Sequence, residues 1–244
     1  MLISLGFIMP ERRINRLQES LGFVEIIKLL KEKYTYKELS EEVNVPIPVL
    51  NRYVKGQVIP APNKTKQLLE RFNELFDLRE ELKRRMNKNR DCTQIFLNTP
   101  LMKIIAFDVY SYFGDSNIQK ILTAPIDGLP IAIPIAHFFG AGVTYVKNTR
   151  DQSIENYIEE TYKPNSANFI QSFFLDKNTF QKNENILIVD DIIDTGVTVN
   201  ALINLAKKFK VNIKGIFALI SQNGGVDKIK DAEIPVYTIF ENGR

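Results

Sequence analysis

Tryptophan is missing from the 244 residues, and cysteine and histidine occur once each, as Cys92 and His137. One cysteine excludes an intrachain disulfide and a cysteine-based zinc site, and one histidine excludes a histidine-rich metal centre. His137 sits in IAIPIAHFFG, where a core or surface histidine is expected rather than a catalytic base. Long apolar runs are lacking too. Met1 to Ile8 is far too short to cross a bilayer and has no basic segment ahead of it. A cytoplasmic protein with no membrane partner is therefore expected, with Met9 as an alternative start. Net charge is small as well: 32 Lys and Arg against 29 Asp and Glu leave +3. That excess is uneven. Residues 1–95 hold 18 basic and 13 acidic residues, an excess of five, whereas residues 96–244 hold 14 and 16. The first part can therefore face a polyanion, although a solvated helical surface accounts for the imbalance equally well.

The densest chemistry lies in ILIVDDIIDTGVT, residues 186–198. Its apolar run reads as a buried parallel strand. Asp190 and Asp191 follow, able to accept hydrogen bonds from ribose hydroxyls or to hold Mg²⁺. Asp194, Thr195, Gly196, Val197 and Thr198 then read as the turn opening a helix over 199–209. Free amides at a helix start form an anion site that suits a phosphate. A Walker-B-like strand end and an acidic strand-to-helix turn without a ligand are the plainer alternatives. The segment resembles the phosphoribosyl-pyrophosphate (PRPP) signature of type I phosphoribosyltransferases at every position. That resemblance implies that Asp190 and Asp191 bind the ribose hydroxyls and that Asp194 to Thr198 wrap the 5′-phosphate. No residue is assigned a catalytic or metal-ligand role.

A second strand-to-helix junction, ILTAPIDGLPIA, offers the loop Ala124, Pro125, Ile126, Asp127 and Gly128. Gly128 lets backbone approach an anion, and the same resemblance makes this the diphosphate loop. Asp127 suggests Mg²⁺ bridging or organisation of the amides. Lys147, after the strand VTYV, and Arg150 can add positive charge, or can be solvated. Residues 150–166 correspond to the mobile loop of orotate-type enzymes, yet they are acidic, and SIENYIEETY reads as a short acidic helix. No element suited to reading a nucleobase is evident.

The first 95 residues show helical periodicity: short segments over 12–21 and 22–33, then 36–43 with a Thr35/Glu38 capping box. A helix opened by Pro46 and Pro48 runs to Lys55, another capped by Asn63 runs to about Phe76, and a charged one covers 78–88. The stretch from Tyr34 to Phe72 resembles the helix-turn-helix of lambda-repressor-type regulators, with Tyr36, Leu39, Val43, Val45, Leu50 and Tyr53 as its core. By that resemblance Ile47, Pro48, Asn51, Arg52 and Lys55 face the major groove, while Thr35, Tyr36 and Lys37 hold phosphates. A helical bundle used for dimerisation is the alternative.

Strands and helices alternate after residue 95. The expected fold is α/β: an all-α helix-turn-helix domain at 1–76, a charged helical linker at 77–95, and a mainly parallel, type I phosphoribosyltransferase-like domain at 96–244. In this order the chain resembles archaeal regulators that join a helix-turn-helix to an orotate-phosphoribosyltransferase-like domain (the GfcR type). The resemblance implies a dimeric DNA-binding regulator with PRPP or a related nucleotide as effector and Mg²⁺ accompanying a diphosphate. An active transferase for orotate or a purine base, with a helical appendage, is the alternative.

Overall fold

The computed structural model describes residues 11–72, 76–86, 92–150, 155–164 and 169–242. The chain begins with α1 (Glu11–Leu30), α2 (Tyr36–Val43), α3 (Ile47–Val54), α4 (Pro62–Phe72) and α5 (Leu78–Arg85). The two segments expected at 12–21 and 22–33 are one helix. Gly22 costs an isolated helix about 1 kcal/mol, but Phe23, Ile26, Ile27, Leu29 and Leu30 bury one face, and that packing outweighs it. Thr35 caps α2 with the reciprocal Glu38 contact read from the sequence, and Asn44, in the left-handed region at φ 50°, ends it. Asn63 is not a cap: α4 already starts at Pro62. The expected end of this helix at Phe76 and the polar stretch 89–91 cross residues outside the described ones.

The remaining elements are α6 (Thr93–Phe96), α7 (Thr99–Phe113), β1 (Lys120–Thr123), α8 (Leu129–Phe139), β2 (Gly142–Tyr145), β3 (Tyr157–Tyr162), β4 (Gln171–Asp176), β5 (Asn185–Ile193), α9 (Val197–Lys208), β6 (Asn212–Gln222) and β7 (Val236–Asn242). Five strands form one sheet in the order β2-β1-β5-β6-β7, parallel throughout. Alternation within each strand divides the core. Ile121, Leu187, Val189, Phe217 and Leu219 face α7 and α8. Leu122, Ile186, Ile188, Ile216 and Ala218 face α9. The first of these clusters also contains Phe23, Ile27, Leu30, Leu39 and Leu50, so the helical segment and the sheet share one continuous apolar core.

A further expectation is overturned. Residues 157–162 form a strand, not an acidic helix, and pair antiparallel with β4, Tyr157 opposite Asp176 and Tyr162 opposite Gln171. Tyr, Ile and Thr favour a pleated, half-buried surface. Ile158 and Tyr162 pack on the α9-side core, while Glu160 pairs with Lys208 of α9 at 2.6 Å.

Polar contacts fasten α5 to the end of α1. Glu81, 1% exposed, accepts from Lys33 at 2.5 Å, Arg84 at 2.7 Å and Arg85 at 2.6 Å, and Arg85 also meets Glu32 at 2.9 Å. Burial alone would raise the Glu81 pKa; the hydrogen bonds from Arg84, Lys33 and Arg85 outweigh it and hold the carboxyl at about 2, below the ordinary 4.5. A depressed carboxylate pKa stabilises the fold fully above the unfolded value and ceases to do so as pH falls through the folded one. This contribution is therefore complete above pH 4.5 and lost on acidification toward pH 2. Glu81→Gln is expected to cost about 2 kcal/mol at pH 7 and much less near pH 2, measured as the difference in thermal midpoint between the two proteins across that range.

Candidate functional site: the carboxyl ends of β1 and β5

Parallel pairing of β1 with β5 ends at Thr123 opposite Val189. There β1 turns away into the loop Ala124–Gly128, while β5 continues beside β6 through Asp190 to Ile193. The two motif carboxylates therefore lie inside a strand, against the mouth of the other loop. A Cβ on Gly128 would stand 2.1 Å from Thr123 Oγ1, 3.1 Å from the Ala124 carbonyl and 3.3 Å from the Val189 carbonyl. Only glycine lets this loop fold back onto both strands. The Pro125–Ile126 peptide bond is cis, and the Ile126 side chain is 77% exposed.

Asp190 is 7% exposed, and its Oδ1 accepts from the Asp191 amide at 3.1 Å. Burial, then the adjacent Asp191 charge, push its pKa well above the ordinary carboxylate value. Burial and the charge of Asp127 raise Asp191 likewise. Strand β5 and the loop 124–128 thus bring carboxylates to one place, and no cation offsets them in those interactions. Such a site is completed by hydroxyl donors or by a cation carried in with a ligand. Among the described residues no cluster of three His, Cys, Asp or Glu side chains could hold a metal ion.

After Ile193 the chain turns through Asp194, Thr195 and Gly196 into α9. Gly196 adopts φ 69° and ψ 0° and occupies the N-cap position without a side-chain cap. The amides of the first turn therefore lack helix partners and point beyond the strand end. Sequence reasoning missed a second segment, Asn223–Lys230, lying along this turn. Asn223 Nδ2 donates to Asp194 Oδ1 at 2.6 Å. Asn200 Nδ2 donates to the Lys228 carbonyl at 3.0 Å, and the Lys230 amide donates back to Asn200 Oδ1 at 2.9 Å. The available signal was Gln222-Asn223-Gly224-Gly225, a turn-forming run after a strand.

Lys147 lies just past β2, and its backbone exchanges hydrogen bonds with Phe174, joining β4 to the main sheet edge. Arg150 bonds Glu159 at 3.0 Å and lies 5.4 Å from the Phe174 ring centre. Two acids of this region are bound: Glu159 by Arg150 and Ser172, Glu160 by Asn204 and Lys208. The β3–β4 pair reaches the site through Tyr162, whose pKa is raised by burial and by the charge of Asp190; its hydroxyl donates to Gln171 at 2.9 Å.

The other group of sequence-predicted residues gathers on α2 and α3. Leu39, Val43, Val45, Leu50 and Tyr53 are buried, while Pro48, Arg52 and Lys55 are exposed and Ile47 is 44% exposed. Asn51 is half-buried, and its Oδ1 accepts from the Tyr36 hydroxyl at 3.2 Å. Lys31 sits 4.3 Å from the Tyr36 ring centre. The Thr35 hydroxyl is engaged with Glu38, and Lys37 is exposed.

Residues 93–242, more than half of the chain, match the phosphoribosyl transferase domain family. The chain belongs to that family. The chain is similar to the purine biosynthesis transcriptional repressor PurR of Bacillus subtilis (strain 168), with 28% identity over 129 residues that make up 53% of this chain and 45% of the repressor. Similarity extends to the hypoxanthine/guanine phosphoribosyltransferase of Methanothermococcus okinawensis, 30% identical over 139 residues, 55% of this chain and 70% of that enzyme. The chain thus spans less than half the length of the repressor it matches. Among solved structures, adenine phosphoribosyltransferase from Thermoanaerobacter pseudethanolicus superposes with a TM-score of 0.61 at 17% identity, covering 67% of this chain and 99% of that one. That likeness establishes a type I phosphoribosyltransferase-like fold.

A carboxyl whose pKa is raised on folding favours the fold only at low pH; the cost appears as pH rises through the unfolded value, near 3.8, toward the folded one. Asp190→Asn keeps the hydrogen bond from the Asp191 amide and removes the buried charge. At pH 7, without ligand, this variant is expected to melt a few degrees above the parent, about 2–4 °C per kcal/mol at this size. Below pH 3.8 the difference should vanish. A lower melting point at pH 7 would overturn the electrostatic account of the site.

Proposed function

We propose that the chain is a DNA-binding transcription regulator whose phosphoribosyl transferase domain takes PRPP or a related nucleotide as effector. The ligand-binding part rests on one observation: the loop 124–128, the acids Asp190 and Asp191 and the glycine turn 194–198 converge at the ends of two paired strands. In this reading Asp190 and Asp191 accept from the ribose hydroxyls. The α9 amides and the hydroxyls of Thr195 and Thr198 hold the 5′-phosphate. Ala124 to Gly128 meet the diphosphate, with Lys147 adding charge and Mg²⁺ entering with the ligand.

The DNA-binding part is supported by the exposed face of α3, where Ile47, Pro48, Arg52 and Lys55 stand beside Asn51. Thr35, Tyr36 and Lys37 flank it at the start of α2. The likeness to PurR adds weight. In this reading residues 1–76 are the reading head, 77–95 the linker and 96–244 the sensor, the order of the archaeal type. A two-fold homodimer in the cytoplasm would place two α3 helices on half-sites about one helical turn apart. Packing connects the parts: α8 leaves the diphosphate loop, α7 packs on α8, and α1, which carries α2 and α3, packs on α7. A ligand that favours one of two such arrangements changes DNA affinity by its differential binding.

A transferase is the second reading, favoured by the enzyme relatives, of which this chain spans the larger share. DNA binding to the protein's own promoter, titrated with PRPP and Mg²⁺ at fixed salt, separates the two. Arg52→Ala is expected to weaken specific binding roughly tenfold to a hundredfold, as loss of a base contact does. The Asp190→Asn/Asp191→Asn double variant should still bind DNA and lose its response to PRPP. Absence of specific DNA binding in every ligand state, with turnover of a base and PRPP, would establish the enzyme instead.

A further inference from the structure

Glu81 gathers more positive charge than its own charge balances. Its buried carboxylate takes three cations, Lys33 from the α1–α2 turn and Arg84 and Arg85 from α5. Arg85 bridges Glu81 to Glu32. Lys33 and Arg84 are the outward members, with side chains 39% and 54% exposed against 17% for Arg85. Both keep donors in reserve. Arg84 reaches Glu81 through Nε and Nη2, and among the described residues its Nη1 has no acceptor. Lys33 Nζ gives Glu81 one of its three N–H groups. The two heads are thus fixed side by side on a common carboxylate. A free surface lysine loses rotamer freedom on binding an anion; these side chains are ordered in the fold already.

Their position adds to this. Lys33 stands two residues before Thr35, the cap of α2. Lys31, on the same turn, donates to the Tyr34 carbonyl at 2.7 Å and lies over the Tyr36 ring. Lys37 is exposed in the first turn of α2. Over this turn and the end of α5, the cations Lys31, Lys33, Lys37, Arg84 and Arg85 outnumber the acids Glu32, Glu38 and Glu81 by two. Glu80 and Lys83 pair with each other at 2.7 Å.

We infer that Lys33 and Arg84 form a phosphate-binding surface for the DNA backbone, built jointly by the α1–α2 turn and α5. This rests on the DNA-binding reading and extends its phosphate contacts from the start of α2 onto the linker. Ordered cations beside a helix start suit the phosphates of a duplex, which position a protein without reading sequence. The location gives the contact a consequence. Leu82 of α5 lies in the core shared with the sheet, and Lys83 stands 5.2 Å from the Phe240 ring centre on β7. A phosphate held by Arg84 therefore bears on the helix that joins the head to the edge of the sensor sheet.

Fluorescence anisotropy of the full chain with a duplex of its own promoter and with a random duplex of equal length, across a salt series, tests the assignment. Lys33→Gln and Arg84→Gln are each expected to reduce the slope of log affinity against log salt by about one. Each should weaken both duplexes equally, roughly fivefold at about 0.15 M salt. Lys33→Arg, which keeps the charge, should keep the parent slope. Lys182→Gln, the same charge change in the exposed loop before β5, should also leave it unaltered. An unchanged slope in either glutamine variant at the surface, a loss confined to the promoter duplex, or an equal loss in Lys182→Gln would overturn the proposal and leave the DNA-binding reading standing. Absence of binding by the parent to either duplex would overturn both.

Discussion

Three carboxylates are held close together at the mouth of one strand pair, and that arrangement opposes folding. Asp190 and Asp191 lose hydration on entering the protein and repel each other and Asp127. The free energy that keeps them there comes from the parallel packing of β1, β5 and β6, whose alternate side chains fill an apolar core on each side of the sheet. Because β5 is anchored on both flanks up to Val189 and on the β6 flank beyond, the acids cannot relax toward water without breaking sheet hydrogen bonds. A ligand with hydroxyl donors to these acids would offset that cost, which would set site affinity against fold stability.

Attachment of the helical segment depends on a different balance. Its apolar residues are continuous with the core of the phosphoribosyl transferase domain, so α1 lies on α7 as part of the interior. At the far end of α1 the contact is ionic: a buried Glu81 joins Lys33 to Arg84 and Arg85. A buried carboxylate with three cationic donors specifies one relative placement of α5 and the α1–α2 turn, since any other leaves a charge unpaired.

The β3–β4 pair shows why local pattern misleads. Glu155, Glu159 and Glu160 in sequence suggest a solvated acidic helix. In the folded chain Glu159 and Glu160 have partners on Arg150, Ser172, Asn204 and Lys208, residues 9 to 49 positions away. Those partners are brought near only by the fold, so the charge pattern carries no trace of them. Asn223 and Asn200, which brace the glycine turn before α9, were invisible for the same reason. Each is an ordinary turn or helix residue until β6 and α9 set them beside Asp194 and Lys228.

Local chemistry was legible in the chain: the acid pair, the glycine turn opening α9, the Gly128 loop, the Thr35/Glu38 cap and the helix pair with its buried Leu39, Val43 and Leu50. These depend on backbone geometry and on side-chain period within a few residues, which the chain encodes directly. The remainder arose from long-range packing. That packing placed β1 beside β5 and so brought the two loops together, continued β5 past the acids, turned an expected helix into β3, and joined the helical segment to the sheet through one core. Each of these is a choice among distant partners, settled by which apolar faces bury each other and which charges can pair once they do.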